Sequence, residues 1–126
     1  MLQGRLTDLT AHAAGRFGEA TALVLPAEQE SFSFREIDAR VARFAGGLVA
    51  LGVQPGDRVV LHLPNGWQWI VAYHAIARTG GVVVPANILL STEETAFIVE
   101  NSGARILILP ADRALICPHR VDRLVC

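Results

Sequence analysis

The segment from Arg58 to Leu109 constrains the fold most, because apolar runs alternate there with segments of helical character. The runs Arg58 to Leu63, Val82 to Val84 and Arg105 to Leu109 are short and apolar, and glycine or proline lies beside each. Such runs are typical of strands that are covered on both faces. The intervening segments are long enough for the helical crossovers that parallel strands require. The pattern predicts a βαβαβ unit in a doubly wound parallel α/β layer.

A helix and a short hairpin are predicted in front of this layer. Four apolar residues recur at helical spacing and predict an amphipathic helix that ends near Gly15 to Gly18, namely Leu6, Leu9, Ala13 and Phe17. Thr21 to Leu25 and Ser31 to Ser33 have the composition of short strands, and the polar loop from Pro26 to Glu30 connects them.

The clearest helix signal begins at Ser33. Ser33 and Glu36 form the sequence pattern of a capping box, in which each side chain bonds a backbone N–H of the first turn. Apolar residues then follow in steps of three and four, which lays one stripe along the helix: Ile37, Val41, Phe44, Leu48 and Leu51. Gly52 is predicted as the left-handed residue that ends this helix.

Two further helices are predicted in the crossovers. Asn65 is expected to cap a helix from about Gly66 to Arg78, which Gly80 and Gly81 end. Ser91 and Glu94 form a second capping box, and the helix that it opens closes at Gly103. Trp67 and Trp69 lack basic neighbours, so packing is favoured over a stacking platform for nucleobases.

Composition excludes several classes of protein. With 52% apolar and 18% charged residues the chain is predicted to be globular rather than disordered. The net charge of −1 is spread over scattered residues of both signs, which argues against nucleic acid and anionic membrane surfaces as partners. No signal peptide is recognised, and polar residues, two glycines and one proline interrupt the apolar region from Trp67 to Leu90. We therefore expect a cytoplasmic protein without a membrane span.

Few residues are candidates for chemistry. His62 can be interpreted as a ligand or base, but no neighbour supports this, and a histidine satisfied at the end of the sheet is favoured. Cys117, His119 and Cys126 match no zinc spacing, and reduced thiols are the expectation. Gly80-Gly81 lacks the pattern of a phosphate-binding loop. We predict no catalytic, cofactor-binding or metal-binding residue in this chain.

The order of the motifs resembles the N-terminal part of AMP-forming acyl-CoA synthetases, within the adenylate-forming ligase superfamily. Five motifs carry the resemblance over about three quarters of the chain, and they agree in order and spacing. They are Phe32-Ser33-Phe34-Arg35-Glu36-Ile37, Leu51 to Val59, Leu63-Pro64-Asn65, Arg78 to Asn87, and Glu100 to Ile108.

The resemblance implies both an activity and a gap in this chain. In such ligases a carboxylic acid is adenylated with ATP and magnesium, and coenzyme A then takes the acyl group in thioester formation, as in fatty acid metabolism. The family's phosphate loop with its lysine, its acidic nucleotide motifs and its C-terminal lid lie beyond this segment. All 11 basic residues here are arginine, so no lysine-dependent step is available. The resemblance implies that three matching motifs are scaffold: Pro55-Gly56-Asp57, Leu63-Pro64-Asn65 and Pro85-Ala86-Asn87. It also implies that the last of them approaches the acyl pocket, without a named role for any of its residues.

The sequence therefore predicts residues 1–110 as an N-terminal subdomain of an AMP-binding ligase fold, incomplete as it stands, and leaves residues 111–126 unassigned. Three hypotheses remain open at this point. The chain is a truncated or partial acyl-CoA synthetase that is inactive alone, a non-catalytic module that binds a partner such as the rest of a split ligase, or an independent flavodoxin-like ligand-binding domain. Because further strands are expected in the family's sheet, we predict self-association or a partner chain that completes it.

Overall fold

A computed structural model describes residues 6–112 and 123–125. A 3₁₀ turn at Leu6–Asp8 leads into the first helix, and a second 3₁₀ turn at Pro26–Glu28 connects the hairpin strands. The helices are α1 Leu9–Phe17, α2 Phe34–Ala50, α3 Trp67–Arg78 and α4 Thr92–Ser102. The strands are β1 Thr21–Leu25, β2 Glu30–Ser33, β3 Arg58–Leu61, β4 Val82–Pro85, β5 Ile106–Ile108 and β6 Arg123–Val125.

The main sheet is parallel and has the order β4-β3-β5-β6. Val59 lies opposite Val83 on one side and opposite Ile106 on the other, so β3 is a central strand. The predicted βαβαβ layer and the antiparallel β1–β2 hairpin are confirmed. The sheet has one more strand than the sequence predicted, because β6 lies in the segment left unassigned and pairs in parallel with β5.

Two apolar cores cover the two faces of this sheet. Val59 and Leu61 point toward the face on which α2 and α3 pack, whereas Val60 and Leu107 point toward the face that α4 covers. All four side chains are fully buried. Alternation of side chains along each strand produces this division, and helices on both faces make the layer doubly wound.

Both predicted ends of α2 are confirmed. The Ser33 hydroxyl accepts a hydrogen bond from the Glu36 N–H at 3.1 Å, and the Glu36 carboxylate accepts one from the Ser33 N–H at 3.2 Å. At the other end Gly52 has φ +100°, and the Val53 N–H donates to the Leu48 carbonyl at 3.1 Å. This is a Schellman motif, and Leu48 and Val53, the pair of positions that is characteristically apolar in it, are both buried in the same core.

Removing the N-terminal cap of α2 gives a first test of this local structure. We expect Ser33→Ala to lower the free energy of unfolding by about 1 kcal/mol, because the Glu36 N–H loses its acceptor. Urea denaturation of the two proteins measures this difference. Ser31→Ala is the control, since Ser31 is exposed in β2 and caps no helix. Equal stability of the Ser33 and Ser31 variants would contradict the role of the cap.

The predicted cap of α3 is wrong. Gly66, not Asn65, is the N-cap residue, and no side chain bonds the first turn. Trp67, the first helical residue, packs against Phe32 with ring centroids 6.0 Å apart. This tertiary contact favours a helix start that leaves Asn65 one residue outside the cap position.

A polar contact joins the first three helices. The Arg78 guanidinium of α3 donates to the Thr10 hydroxyl of α1 at 2.6 Å and forms an ion pair with Asp38 of α2. The Thr10 hydroxyl donates in turn to Asp38 at 3.0 Å. The two charged side chains are about three-quarters buried, so the ion pair is less screened than a surface pair. It holds α1 and α2 in register with α3.

Candidate functional site

The strand order places a switch point between β3 and β5. The chain runs from β3 to β4 on one side and then crosses to β5 on the other side. In open parallel sheets, ligands bind beyond the carboxyl ends of the strands at such a reversal, because the two crossover connections diverge there. A ligand site is therefore expected at the carboxyl ends of β3 and β5.

A cavity of about 420 Å³ lies at this switch point. Its volume is within the range of small-molecule sites. The walls are almost entirely apolar and come from α2, α3 and the ends of the two strands: Phe44, Leu63, Pro64, Trp67, Gln68, Val71, Ile108, Leu109, Pro110 and Ala111. Gln68 contributes the one polar side chain of this lining, and no acid, base or nucleophile is among the lining residues. The cavity can enclose an apolar group, but its lining cannot activate one.

The polar residues next to the strand ends have structural partners. His62 is buried, and its backbone N–H continues the sheet by donating to the Ile108 carbonyl at 2.8 Å. The Asn87 carboxamide oxygen accepts from the Leu89 N–H at 2.9 Å, and the Asn87 carbonyl accepts from the Leu90 N–H at 3.1 Å. Asn87 thus forms a turn after β4, as expected of the scaffold role predicted for Pro85-Ala86-Asn87.

Arg40 is the feature of this region that sequence reasoning missed. Its guanidinium carbon lies 4.3 Å from the ring centroid of Trp67 and 4.9 Å from that of Phe32. These cation–π contacts hold the side chain in place, although no carboxylate among the described residues pairs with it. The available signal was the position of Arg40 on α2, but only the fold brings Trp67 beside it.

His74 lies in a second, smaller cavity of about 200 Å³ between α1, the hairpin, α2 and α3. Burial, and secondarily the positive charge of Arg78, lower the pKa of His74 below its ordinary value. Both effects penalise the imidazolium, so the neutral ring is favoured in the folded state. The Nδ1 atom is buried without a hydrogen-bond partner in the described part of the chain.

The lowered pKa of His74 predicts a pH dependence of stability. Because the folded pKa lies below the unfolded one, the unfolded chain takes up this proton first as the pH falls. The contribution of neutral His74 to the free energy of unfolding is fully present above about pH 6.5, the usual pKa of a histidine. This contribution is lost as the pH falls through the lowered pKa of the folded state. We expect His74→Phe, which keeps a ring beside Tyr73, to flatten the dependence of unfolding free energy on pH below about pH 6.5.

Denaturant titrations at several pH values check this prediction. His12→Phe is the matched control, because His12 is exposed on α1. The control should keep the pH dependence of the unchanged protein. If the His74→Phe variant kept the same pH dependence of stability as the His12→Phe variant, His74 would not be the source of that dependence.

The sequence also bears on a metal site at the two cysteines and on a membrane span. Cys117, His119 and Cys126 lie outside the described residues. Within residues 6–112 and 123–125, no three histidine, cysteine or acidic side chains form a group able to hold a metal ion. In the same ranges no helix combines the length and apolar character needed to cross a membrane.

The parallel sheet with helices on both faces defines a doubly wound α/β domain. Comparison with known proteins then gives the family. The family model described as AMP-binding enzyme matches residues 10–124, which is most of the chain. The chain belongs to the AMP-binding enzyme family, as the motifs predicted.

Two curated relatives are CoA ligases. The chain is 41% identical over 99 residues to 3-[(3aS,4S,7aS)-7a-methyl-1,5-dioxo-octahydro-1H-inden-4-yl]propanoyl:CoA ligase of Mycobacterium tuberculosis, covering 75% of this chain and 19% of that protein. It is 35% identical over 101 residues to the crotonobetaine/carnitine–CoA ligase of Salmonella typhimurium, covering 78% of this chain and 20% of that protein. The chain therefore spans about a fifth of the length of these relatives.

Solved structures of adenylate-forming ligases share the fold. The N-terminal domain of FACL13 from Mycobacterium tuberculosis superposes with a TM-score of 0.89 at 26% identity, covering 98% of this chain and 34% of that one. The O-succinylbenzoate coenzyme A synthetase of Bacillus subtilis, solved with AMP, gives a TM-score of 0.86 at 28% identity, covering 98% of this chain and 31% of that one. The prediction of an incomplete part of this fold is confirmed.

Proposed function

We propose that this chain is a structural part of an acyl-CoA ligase and is inactive by itself. The observation that carries the proposal is the family match over residues 10–124, combined with a switch-point cavity whose lining has no catalytic group. In the complete enzyme a carboxylic acid is adenylated with ATP and transferred to CoA. The chain would contribute one parallel layer, and other residues of that enzyme would supply the reacting groups.

We infer that residues 6–112 and 123–125 do not by themselves form a site for ATP and magnesium. Phosphoryl chemistry relies on cations and positioned N–H donors at the reacting phosphate, and metals need clustered oxygen ligands. The chain has no lysine, and no acidic cluster able to hold a metal ion occurs in the two described ranges. We therefore assign no catalytic step to the described residues. A cytoplasmic location also remains a prediction.

We expect the purified chain to show no carboxylate-dependent ATP–pyrophosphate exchange, because its sequence has no lysine and no phosphate-loop pattern to stabilise the reacting phosphate of ATP. The assay uses a panel of straight-chain and ring-containing carboxylic acids. Exchange above the level of a heat-denatured sample would contradict the proposal. The Mycobacterium tuberculosis relative, assayed in parallel, provides the positive control.

A chimera tests the structural role. The 99 matching residues of the Mycobacterium tuberculosis CoA ligase are replaced by the corresponding residues of this chain, at 41% identity. We expect the chimera to retain adenylation, since the exchanged part supplies scaffold. A folded chimera without adenylation would instead favour the second candidate, a non-catalytic module that binds a partner, because the exchanged residues would then no longer support the reaction.

A further inference from the structure

A groove runs along α2 and α3 on one face of the sheet. Its volume is about 360 Å³, and it joins the switch-point cavity through the shared residues Phe44, Trp67 and Val71. Its walls are otherwise apolar except for two arginines of α2, Arg40 and Arg43. The groove therefore combines an apolar floor with a cationic rim.

The arginines of this groove have no acidic partner in residues 6–112. Arg40 is held against Trp67 and Phe32 by cation–π contacts, so its N–H donors remain available along the edge of the guanidinium. Arg43 is exposed three residues further along α2, on the same side of the helix. An ordered guanidinium beside apolar surface is suited to an acidic side chain on an apolar partner.

A complementary patch lies on α4 and the turn before it. Phe97 is 67% exposed and Leu89 is 86% exposed, although both are large apolar side chains. Glu93 and Glu94 lie on the first turn of α4, beside Phe97, and are also exposed. The Glu94 carboxylate accepts from the Ser91 N–H at 3.1 Å, which leaves Glu93 as the acid free to pair outside the capping box. We call Leu89, Glu93 and Phe97 the α4 patch.

We propose that the α4 patch of one copy docks into the groove of a second copy, with Phe97 on the apolar floor and Glu93 facing Arg40 and Arg43. Charge complementarity selects this occupant, because the groove is cationic and the patch is acidic, and each carries apolar surface. The two surfaces lie on opposite faces of the sheet, since α2 and α3 pack on one core and α4 packs on the other. The contact is heterologous, so it adds copies head to tail.

The free edge of β4 is a weaker site for self-association. The N–H groups of Val82 and Ala86 donate to β3, to the carbonyls of Asp57 and Leu61. By alternation Val83 presents its N–H outward, and the next outward position is Pro85, which has no N–H. Proline and short length are common protections of an edge strand. The apolar helix faces of this chain therefore carry the association.

Two variants that each remove one surface test the proposal. Arg43→Glu reverses a charge in the groove, and Phe97→Gln removes the apolar anchor of the α4 patch; both positions are exposed, so folding should be unaffected. Sedimentation and light scattering across a concentration series are expected to show growing oligomers for the unchanged chain. Each variant alone should associate at least ten-fold more weakly.

The mixture of the two variants is the decisive measurement. The Arg43→Glu chain keeps its α4 patch and the Phe97→Gln chain keeps its groove, so an equimolar mixture should form a 1:1 dimer that does not grow. Glu30→Gln, in the exposed hairpin, is the control and should behave as the unchanged chain. A mixture as weakly associated as either variant alone would overturn the proposal, and so would an unchanged chain that stays monomeric at high concentration.

Discussion

Replacing Leu61 with alanine is expected to lower the free energy of unfolding by about 3 kcal/mol. Leu61 is fully buried at the end of β3, in the core between the sheet and the helices α2 and α3. The substitution removes apolar contacts and leaves a cavity that neighbours in a parallel sheet cannot close by moving. For a domain of this size such a loss is a large part of the total stability.

Urea denaturation at a dilute protein concentration, where self-association is absent, measures this loss. Leu89→Ala is the matched control, because Leu89 is 86% exposed and its truncation should change stability by less than about 0.5 kcal/mol. A similar stability of the two variants would mean that β3 is not at the centre of the core. Because both variants replace leucine with alanine, the difference between their unfolding free energies measures the effect of burial at Leu61.

The elements with local chemical signals were predictable from the sequence. Capping boxes at Ser33 and Ser91 are both present, and they were predictable because the motif is local: a hydroxyl residue at the N-cap and a glutamate three residues later. The three β-runs around Val59, Val83 and Leu107 form parallel strands as predicted. Their apolar character on both sides already required cover on two faces, which the helices supply.

Features that depend on distant contacts could not be predicted. The start of α3 follows the packing of Trp67 on Phe32, which are far apart in sequence, and so Asn65 does not cap it. β6 is recognisable only through its pairing with β5. Phe97 and Val99 are both apolar residues of α4, yet Val99 is buried and Phe97 is exposed. Periodicity over so short a helix does not decide which residues face the sheet.

The candidate site illustrates the same limit. The sequence predicted no catalytic residue, and it interpreted Leu63-Pro64-Asn65 as scaffold, although Leu63 and Pro64 line the cavity. The cavity exists because the chain crosses from β4 to β5 over β3, a property of strand order that single residues do not encode. Arg40 acquires its ordered position in the same way, from aromatic rings on two other elements.

The junction between α2 and β3 depends on Gly52, and Gly52→Val is expected to lower the free energy of unfolding by about 2 kcal/mol. Gly52 has φ +100°, where a β-branched residue is strained, whereas no heavy atom lies within 4 Å of the position of an added Cβ. The cost is therefore conformational rather than a steric clash with a neighbour. If the chain avoided the strain by changing φ, the Schellman bond from the Val53 N–H to the Leu48 carbonyl would break.

Gly46→Val provides the matched control for this test. Gly46 lies within α2, also has no heavy atom within 4 Å of an added Cβ, and has no positive φ. The same substitution there should be neutral or slightly stabilising, because valine has a somewhat higher helix propensity than glycine. Thermal and urea unfolding of both variants measure the contrast. If the two substitutions changed the free energy of unfolding equally, the positive φ of Gly52 would not be needed to end α2 and connect it to β3.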